Sequence, residues 1–526
     1  MKISFYGAAE TVTGSCHLLE CSDINIMVDC GMFQGGSALS DLNDSSFEFD
    51  INKLDAMILT HAHIDHSGRL PKLVKDGFSG KVYLNEATAS LCEVMLMDSA
   101  HIQEMEAEYR TRKNARKGLP PAEPMYSQED AEECIKSFVP LDYDVNVKLS
   151  QNVSFTLRDA GHMLGSCIIE IWDKDEKIVF SGDLGNLDKP LLNNPTLIKE
   201  ADYVVMESTY GGRFHSYKKK EDQLLEIILK TAKRGGTLVI PSFAVGRTQE
   251  ILYEINRYKE NDMLGEFHNI RVIVDSPLAV KSTEIFKKYY DIMDKATQDT
   301  VKSGDDPLVF DNLEYSLTAE TSKAINFDES PKIIISASGM CDAGRIRHHI
   351  KHNVFKENCT ILLIGYQAEG SLGRLLVEGA KDIKLFGERL AVKAEIQVID
   401  YFSGHADQTG LLNWLKGFEV KPKRVVLVHG EIEGLVPLKQ AVSELGMSCV
   451  IAQYMTTLDL DNFDSYSQDH VEVKEAVKSE KTPKASQLAQ QAKVLFEKLQ
   501  TKEANLDNAE YDKIKLLLGC VEDLLK

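Results

Sequence analysis

His61, His63, Asp65 and His66 place three imidazoles and a carboxylate within six positions of the chain. These ligand types suit zinc and its first-row neighbours. One tetrahedral ion cannot take all four from so tight a turn without straining the backbone. The spacing therefore points to two ions side by side, His61 and His63 on one, Asp65 and His66 on the other. The bland alternative is a solvated turn that is rich in histidine by chance. The two readings separate on one demand: a metal centre needs more ligands from elsewhere in the chain.

Suitable residues stand where apolar runs end. Asn25–Val28 leads to Asp29, Val153–Leu157 to His162, Lys177–Phe180 to Asp183, Tyr203–Met206 to Glu207, and Arg424–Val428 to His429. Each alone would more often be a turn former or a cap. Together they are what ligands drawn from one sheet rim would require.

The elements that must position them are short strands. Ala56–Thr60 reads as a buried strand feeding the histidine turn, and Lys2–Tyr6, Cys16–Glu20 and Asn25–Val28 read as strands joined by hairpins. Leu70–Lys75 and Thr88–Glu108 have helical spacing, and Arg110–Lys117 reads as a solvated helix face. Ser127-Gln-Glu-Asp130 caps a helix expected to run through Phe138. From Gly211 to about Ile396 strands and helices alternate, which predicts a parallel α/β unit. Since His429 follows that unit, it is inserted in the metal-binding fold, with a cleft between the two. The expected divisions are 1–210 and 396–455 for the metal-binding domain, 211–395 for the insert and 456–526 for a helical extension. Ser486–Leu499 and Leu506–Leu525 carry helical periodicity suited to docking or oligomerisation, a homodimer being the simplest case.

A chain of 526 residues with 43% apolar and 27% charged residues has the make-up of a multidomain globular protein. The segment Met1–Gly7 lacks a sustained apolar stretch, and no uncharged run is long enough to span a bilayer. Ten scattered cysteines without a Cys-x-x-Cys pair suit reduced thiols, hence a cytoplasmic location and no membrane partner. A net charge of −21 argues against loose attraction to nucleic acid. It does not exclude a local basic cleft whose charge divalent metals would reinforce.

His61-Ala-His-Ile-Asp-His66, His162, Ser181-Gly-Asp183 and His429 resemble the metallo-β-lactamase superfamily. Glu207-Ser-Thr-Tyr-Gly211, Pro241-Ser-Phe-Ala-Val-Gly-Arg247, Ser403-Gly-His405-Ala-Asp407 and His429-Gly-Glu431 resemble its β-CASP branch, whose members cut nucleic acids. The likeness is to bacterial and archaeal relatives of the endonuclease subunit of the messenger-RNA 3′-end cleavage factor, and it runs from Met1 to about Gln453. It implies an α/β fold: a metallo-β-lactamase αββα sandwich with an inserted parallel α/β (β-CASP) domain and a helical C-terminal tail. It also implies two Zn2+ per chain, one on His61, His63 and His162, the other on Asp65, His66 and His429. Asp183 would bridge them, Asp29 would fix ligand geometry from behind, and Asp65 would belong to the catalytic group as well as to the metal.

Two ions roughly 3.5–4 Å apart can activate a shared water to hydroxide for attack on phosphorus. By the same resemblance His405 would protonate the leaving oxygen, with Glu207 holding its ring, and Ser403 would contact phosphate. Arg247, Arg345 and Arg374 of the insert could add bidentate phosphate contacts, with backbone N–H groups of Ser336–Gly344; surface ion pairs are the alternative. Arg213 and Lys218–Lys220 could line the cleft, though a solvated charge run is the simpler reading.

The expectation is a zinc-dependent endoribonuclease acting on single-stranded RNA held in the interdomain cleft. In this family a histidine at the position of His429 goes with RNA processing. The alternatives are a 5′-exoribonuclease or DNA nuclease of the same family, a small-molecule metallohydrolase, or an inactive scaffold subunit. The large insert and the Glu207/His405 pair weigh against a small substrate, and the full ligand set weighs against a scaffold.

Overall fold

The computed structural model describes residues 1–214, 223–365, 367–368, 370–399 and 402–461. Lys218–Lys220 and the two C-terminal helical stretches lie outside the described residues.

Short apolar runs broken by turn residues build two seven-stranded sheets. In the first, Lys2–Phe5, His17–Glu20 and Asn25–Val28 form antiparallel hairpins. Ala56–Ile58, Lys81–Asn85 and Phe138–Leu141 follow in parallel. In the second, Val153–Asp159, Cys167–Asp173 and Glu176–Phe180 run antiparallel, and Tyr203–Met206 then pairs parallel with Glu176–Phe180. The inner faces meet through Tyr83 on Phe155 and His17 on Phe180, with ring centroids 5.4 and 6.4 Å apart. Outside, Leu70–Lys75 and Glu86–Ala115 pack on Met57, Val82 and Leu84 of the first sheet. Gln408–Leu415 and Ile432–Glu444 pack on Val204 and Val425 of the second. This is an αββα sandwich.

The chain leaves the sandwich and comes back to complete both sheets. Arg424–Leu427 pairs parallel with Tyr203–Met206, and Thr457–Asp459 pairs antiparallel with Lys2–Phe5. Between these crossings residues 237–399 supply a separate six-stranded parallel sheet, with Thr237–Pro241 between Lys332–Ser336 and Thr360–Ile364. Its two faces are covered differently: Leu238 and Ile240 share a core with Ile251, Leu252 and Ile255, whereas Val239 shares one with Ile346 and Ile350. The insert is tied to the sandwich by Ser90 Oγ to Tyr289 Oη at 2.8 Å and by Asn193 Nδ2 donating to the Ile292 carbonyl at 2.9 Å.

Two elements differ from the sequence expectation. The helix capped by Ser127 stops at Ile135, and Phe138–Leu141 becomes an edge strand beside Lys81–Asn85. Pro140 disfavours a continuing helix but is tolerated at a sheet edge, so pairing wins there. The long helix spans Glu86–Ala115, capped by Asn85, whose side chain accepts from Ala87 N at 2.9 Å. Its last turns carry Arg110, Arg112 and Lys113. Among the described residues no helix is long and apolar enough to cross a membrane, and the cysteines are free thiols.

Candidate metal centre and active site

The site begins where Ala56–Ile58 ends. Asp29 closes the neighbouring strand and accepts from Thr60 N at 2.8 Å and from Thr60 Oγ1 at 2.9 Å. Asp29 takes a left-handed φ of 61°, and His429 at the far side takes 50°. Non-glycine residues in that region cost free energy and mark places where the surroundings over-determine the backbone. His61 and His63 follow in the turn, and Asp65 and His66 sit on the short helix Ile64–Ser67. His162, Asp183, Glu207 and His429 come from the loops after four strands of the second sheet, three of them parallel neighbours.

These loops converge. One ligand atom from each of His61, His63, His162 and Asp183 lies within 4.8 Å of the others, and the same holds for Asp65, His66 and His429. Asp183 faces both groups. Its Oδ2 is 3.5 Å from His61 Nε2 and from His162 Nε2, while its Oδ1 is 3.4 Å from His66 Nε2.

Four of the five rings are fixed by their other nitrogen. Thr60 gives its hydroxyl proton to Asp29 and so accepts from His61 Nδ1 at 3.0 Å. His66 Nδ1 is 2.7 Å from Asp29, His162 Nδ1 is 3.0 Å from the Gly404 carbonyl, and His429 Nδ1 is 3.0 Å from Thr209 Oγ1. The Nε2 atoms of these four rings are left to face the centre, the usual orientation of a ligating histidine. Gly404 has to be small, because a Cβ there would stand 3.2 Å from His162 Cε1.

This donor set fits divalent metal. His63 Nδ1 is 3.1 Å from both His61 Nε2 and His162 Nε2, and His66 Nε2 is 3.1 Å from His429 Nε2. Facing nitrogen lone pairs repel unless a proton or a cation lies between them. Asp183 Oδ1 is buried with no hydrogen-bond partner, which is costly for a carboxylate without a counter-charge. Burial, with help from neighbouring rings, holds His61 and His162 well below the ordinary imidazole value, and His63 at about 4. They are neutral, as ligands must be. Burial opposes the charged form of Asp183 too, but the surrounding histidines outweigh it and keep it ionised. For His66 burial is outweighed by Asp183 and Asp29, which hold the ring well above its ordinary value; metal would have a proton to displace there.

Beside this centre His405 Nδ1 lies 3.1 Å from Glu207 Oε2 and 3.9 Å from Asp183 Oδ2. Burial disfavours its charge, but Glu207 and Asp183 prevail and lift it to about 9. Glu207 is clamped by Leu184 N at 2.6 Å and Thr209 N at 3.3 Å. Ser403 Oγ donates to the His405 carbonyl at 3.2 Å, and the Tyr210 ring meets His405 edge-on at 5.7 Å.

The expected phosphate arginines fare differently. Arg247 sits 5.4 Å from the Phe402 ring and 3.1 Å from Glu250, which also pairs with Lys189 of the sandwich. Arg345 is engaged within the insert, on Asp275 at 2.7 Å and on the carbonyls of Ser316 and Leu317. Arg374 pairs with Glu378 one turn along its own helix, at 2.7 Å, and Arg213 lies over the Tyr210 ring at 5.3 Å. Sequence reasoning missed Thr60, Thr209 and Lys189. The two threonines sit next to His61 and inside Glu207-Ser-Thr-Tyr-Gly211, the one available signal.

A sandwich whose shared rim gathers five histidines and two aspartates defines a metallohydrolase. The metallo-beta-lactamase superfamily domain matches residues 18–209, the Beta-Casp domain 248–376, and the Zn-dependent metallo-hydrolase RNA specificity domain 389–452. A ribonuclease of Thermus thermophilus is 36% identical over 86% of this chain and 99% of its own. Transcription termination factor FttA of Methanocaldococcus jannaschii is 31% identical over 82% of this chain and 67% of its own. An RNase J-like protein of the same archaeon is 29% identical over 82% and 92%. The chain belongs to the β-CASP family of the metallo-β-lactamase superfamily.

Proposed function

We propose that this protein is a metal-dependent ribonuclease, that its metal is a pair of Zn2+, and that it cuts single-stranded RNA internally. The observation that carries this reading is Asp183, whose two oxygens face two separate histidine groups. RNA as the substrate is supported by the RNA specificity domain and by relatives named as ribonucleases. His61, His63 and His162 would hold one ion and Asp65, His66 and His429 the other, with Asp183 between. Bound ions supply positive charge to phosphate oxygens and lower the pKa of nearby water.

The rest of the chemistry belongs to the side chains. Asp29, Thr60, Thr209 and the Gly404 carbonyl keep the rings aimed. His405, with Nδ1 committed to Glu207, gives the proton on Nε2 to the leaving 3′-oxygen, and Glu207 balances the ring's charge beforehand. The products are a 5′-phosphate and a 3′-hydroxyl, made in the cytoplasm.

The test is a circular single-stranded RNA, with products mapped at both ends and zinc measured on the purified protein. Linearisation with the stated ends is expected. Consumption of linear RNA alone, stepwise from its 5′ end, would put the 5′-exonuclease reading in place of this one, and equal cutting of DNA would remove the preference for RNA.

A further inference from the structure

The parallel sheet of the insert reverses its winding at the centre. From Thr237–Pro241 the chain passes through helix Arg247–Glu260 to Arg271–Val274 on one side. From the adjacent Lys332–Ser336 it passes through helix Ile346–Asn353 to Thr360–Ile364 on the other. The two helices cover opposite faces, since Ile251 and Ile255 pack with Leu238 and Ile240 while Ile346 and Ile350 pack with Val239. Loops 242–246 and 337–344 therefore diverge at the carboxyl ends of neighbouring strands, where open α/β sheets leave a ligand crevice.

Phe243 stands in that opening. It is 48% exposed, yet it is held on two sides. Thr248 Oγ1 holds its carbonyl at 2.7 Å. Its ring lies so close over Gly339 that a Cβ there would meet ring carbons at 3.1 Å. Gly339 is held in turn by Gln367 Nε2 at 3.2 Å, and Met340 by Gly373 N at 3.1 Å. The far end of the same loop carries Arg247 against Phe402, just ahead of Ser403 and His405. A seated aromatic side chain half open to solvent, on the loop that reaches the proton donor's neighbour, offers a flat apolar surface to a ligand.

We infer that Phe243 is a stacking platform for one unpaired RNA base next to the scissile phosphate. The inference rests on the ribonuclease reading and adds the reason for single strands: a base still paired and stacked in a duplex offers no free face. Every base has a π face, so the platform adds affinity without choosing sequence.

The test uses the full chain with its metal and a short single-stranded RNA in which one abasic site is moved stepwise. Phe243→Leu keeps apolar bulk without a flat face and should raise KM about tenfold to a hundredfold with kcat little changed. Phe243→Trp should keep the normal KM and show fluorescence quenching on RNA addition. Removing the base at one position beside the cut should reproduce the loss in the unchanged protein and add nothing in Phe243→Leu. Metal content equal to the parent's confirms that the variants fold. An unchanged KM in Phe243→Leu, or an abasic penalty that persists in it, overturns the platform and leaves the ribonuclease reading standing. Failure of the unchanged protein to bind or cut RNA overturns both.

Discussion

The carboxyl edges of two sheets carry this molecule's chemistry, and they are built on different terms. On the sandwich rim His61, His66, His162 and His429 are each tied from behind, by Thr60, Asp29, a carbonyl or Thr209, so that the free nitrogen points inward. On the insert's rim the charged groups are largely turned on one another: Asp275 takes Arg345 at 2.7 Å, and Ser322 and His349 at 2.6 Å each. One edge is organised to leave donors unsatisfied by protein, the other to satisfy them. The first is the arrangement of a reactive centre and the second that of a scaffold, on which Phe243 stays half-exposed.

Asp183→Ala strikes the point where both histidine groups meet, so it should abolish metal binding and RNA cleavage together. Metal analysis and a cleavage assay would show this, and a variant that keeps its metal would separate Asp183 from the centre. His405→Ala should keep its metal while kcat falls by about 10² to 10⁴. Asp29→Asn or Thr209→Val loosens a ring from behind and should weaken metal binding about 10- to 100-fold in a chelator competition, with cleavage following metal occupancy.

On the insert the readout changes from activity to stability. His349→Ala leaves Asp275 short of one buried partner, with Arg345 and Ser322 still on it, and should cost about 1–3 kcal/mol in denaturant unfolding, with kcat of the folded protein retained. Asp275 shows its own sign: burial would raise it, but His349, Ser322 and Arg345 hold it at about 2 against an ordinary 3.8. Its contribution is complete above pH 3.8 and fades as the pH falls towards 2; Asp275→Asn should flatten that part of the acid unfolding curve. The smallest effect belongs to Arg374→Ala, which removes an exposed ion pair worth about 0–1 kcal/mol and should leave the KM for RNA unchanged. A raised KM would return Arg374 to the phosphate contacts.

The gathering of His61, His63, Asp65 and His66 is legible because local spacing decides it, and the strand-end pattern brings in His162, Asp183 and His429. Which nitrogen each ring presents is not legible, since that depends on Asp29 meeting Thr60 and His66, and on Thr209 meeting His429, across strand ends. That Arg345 pairs with Asp275 is not legible either, since the two stand 70 positions apart. The over-long helix at Phe138 has the same origin. A helical pattern is local, whereas the partner that claims Phe138–Leu141 lies more than fifty residues upstream, at Lys81–Asn85.

The late arrival of Arg424–Leu427 has a consequence for synthesis. A nascent chain that has just finished the insert owns His61, His63, His162 and Asp183 but neither His429 nor the strand that leads to it. Until that stretch is made, the group of Asp65, His66 and His429 lacks its third member, so the metal centre can be completed only late in synthesis.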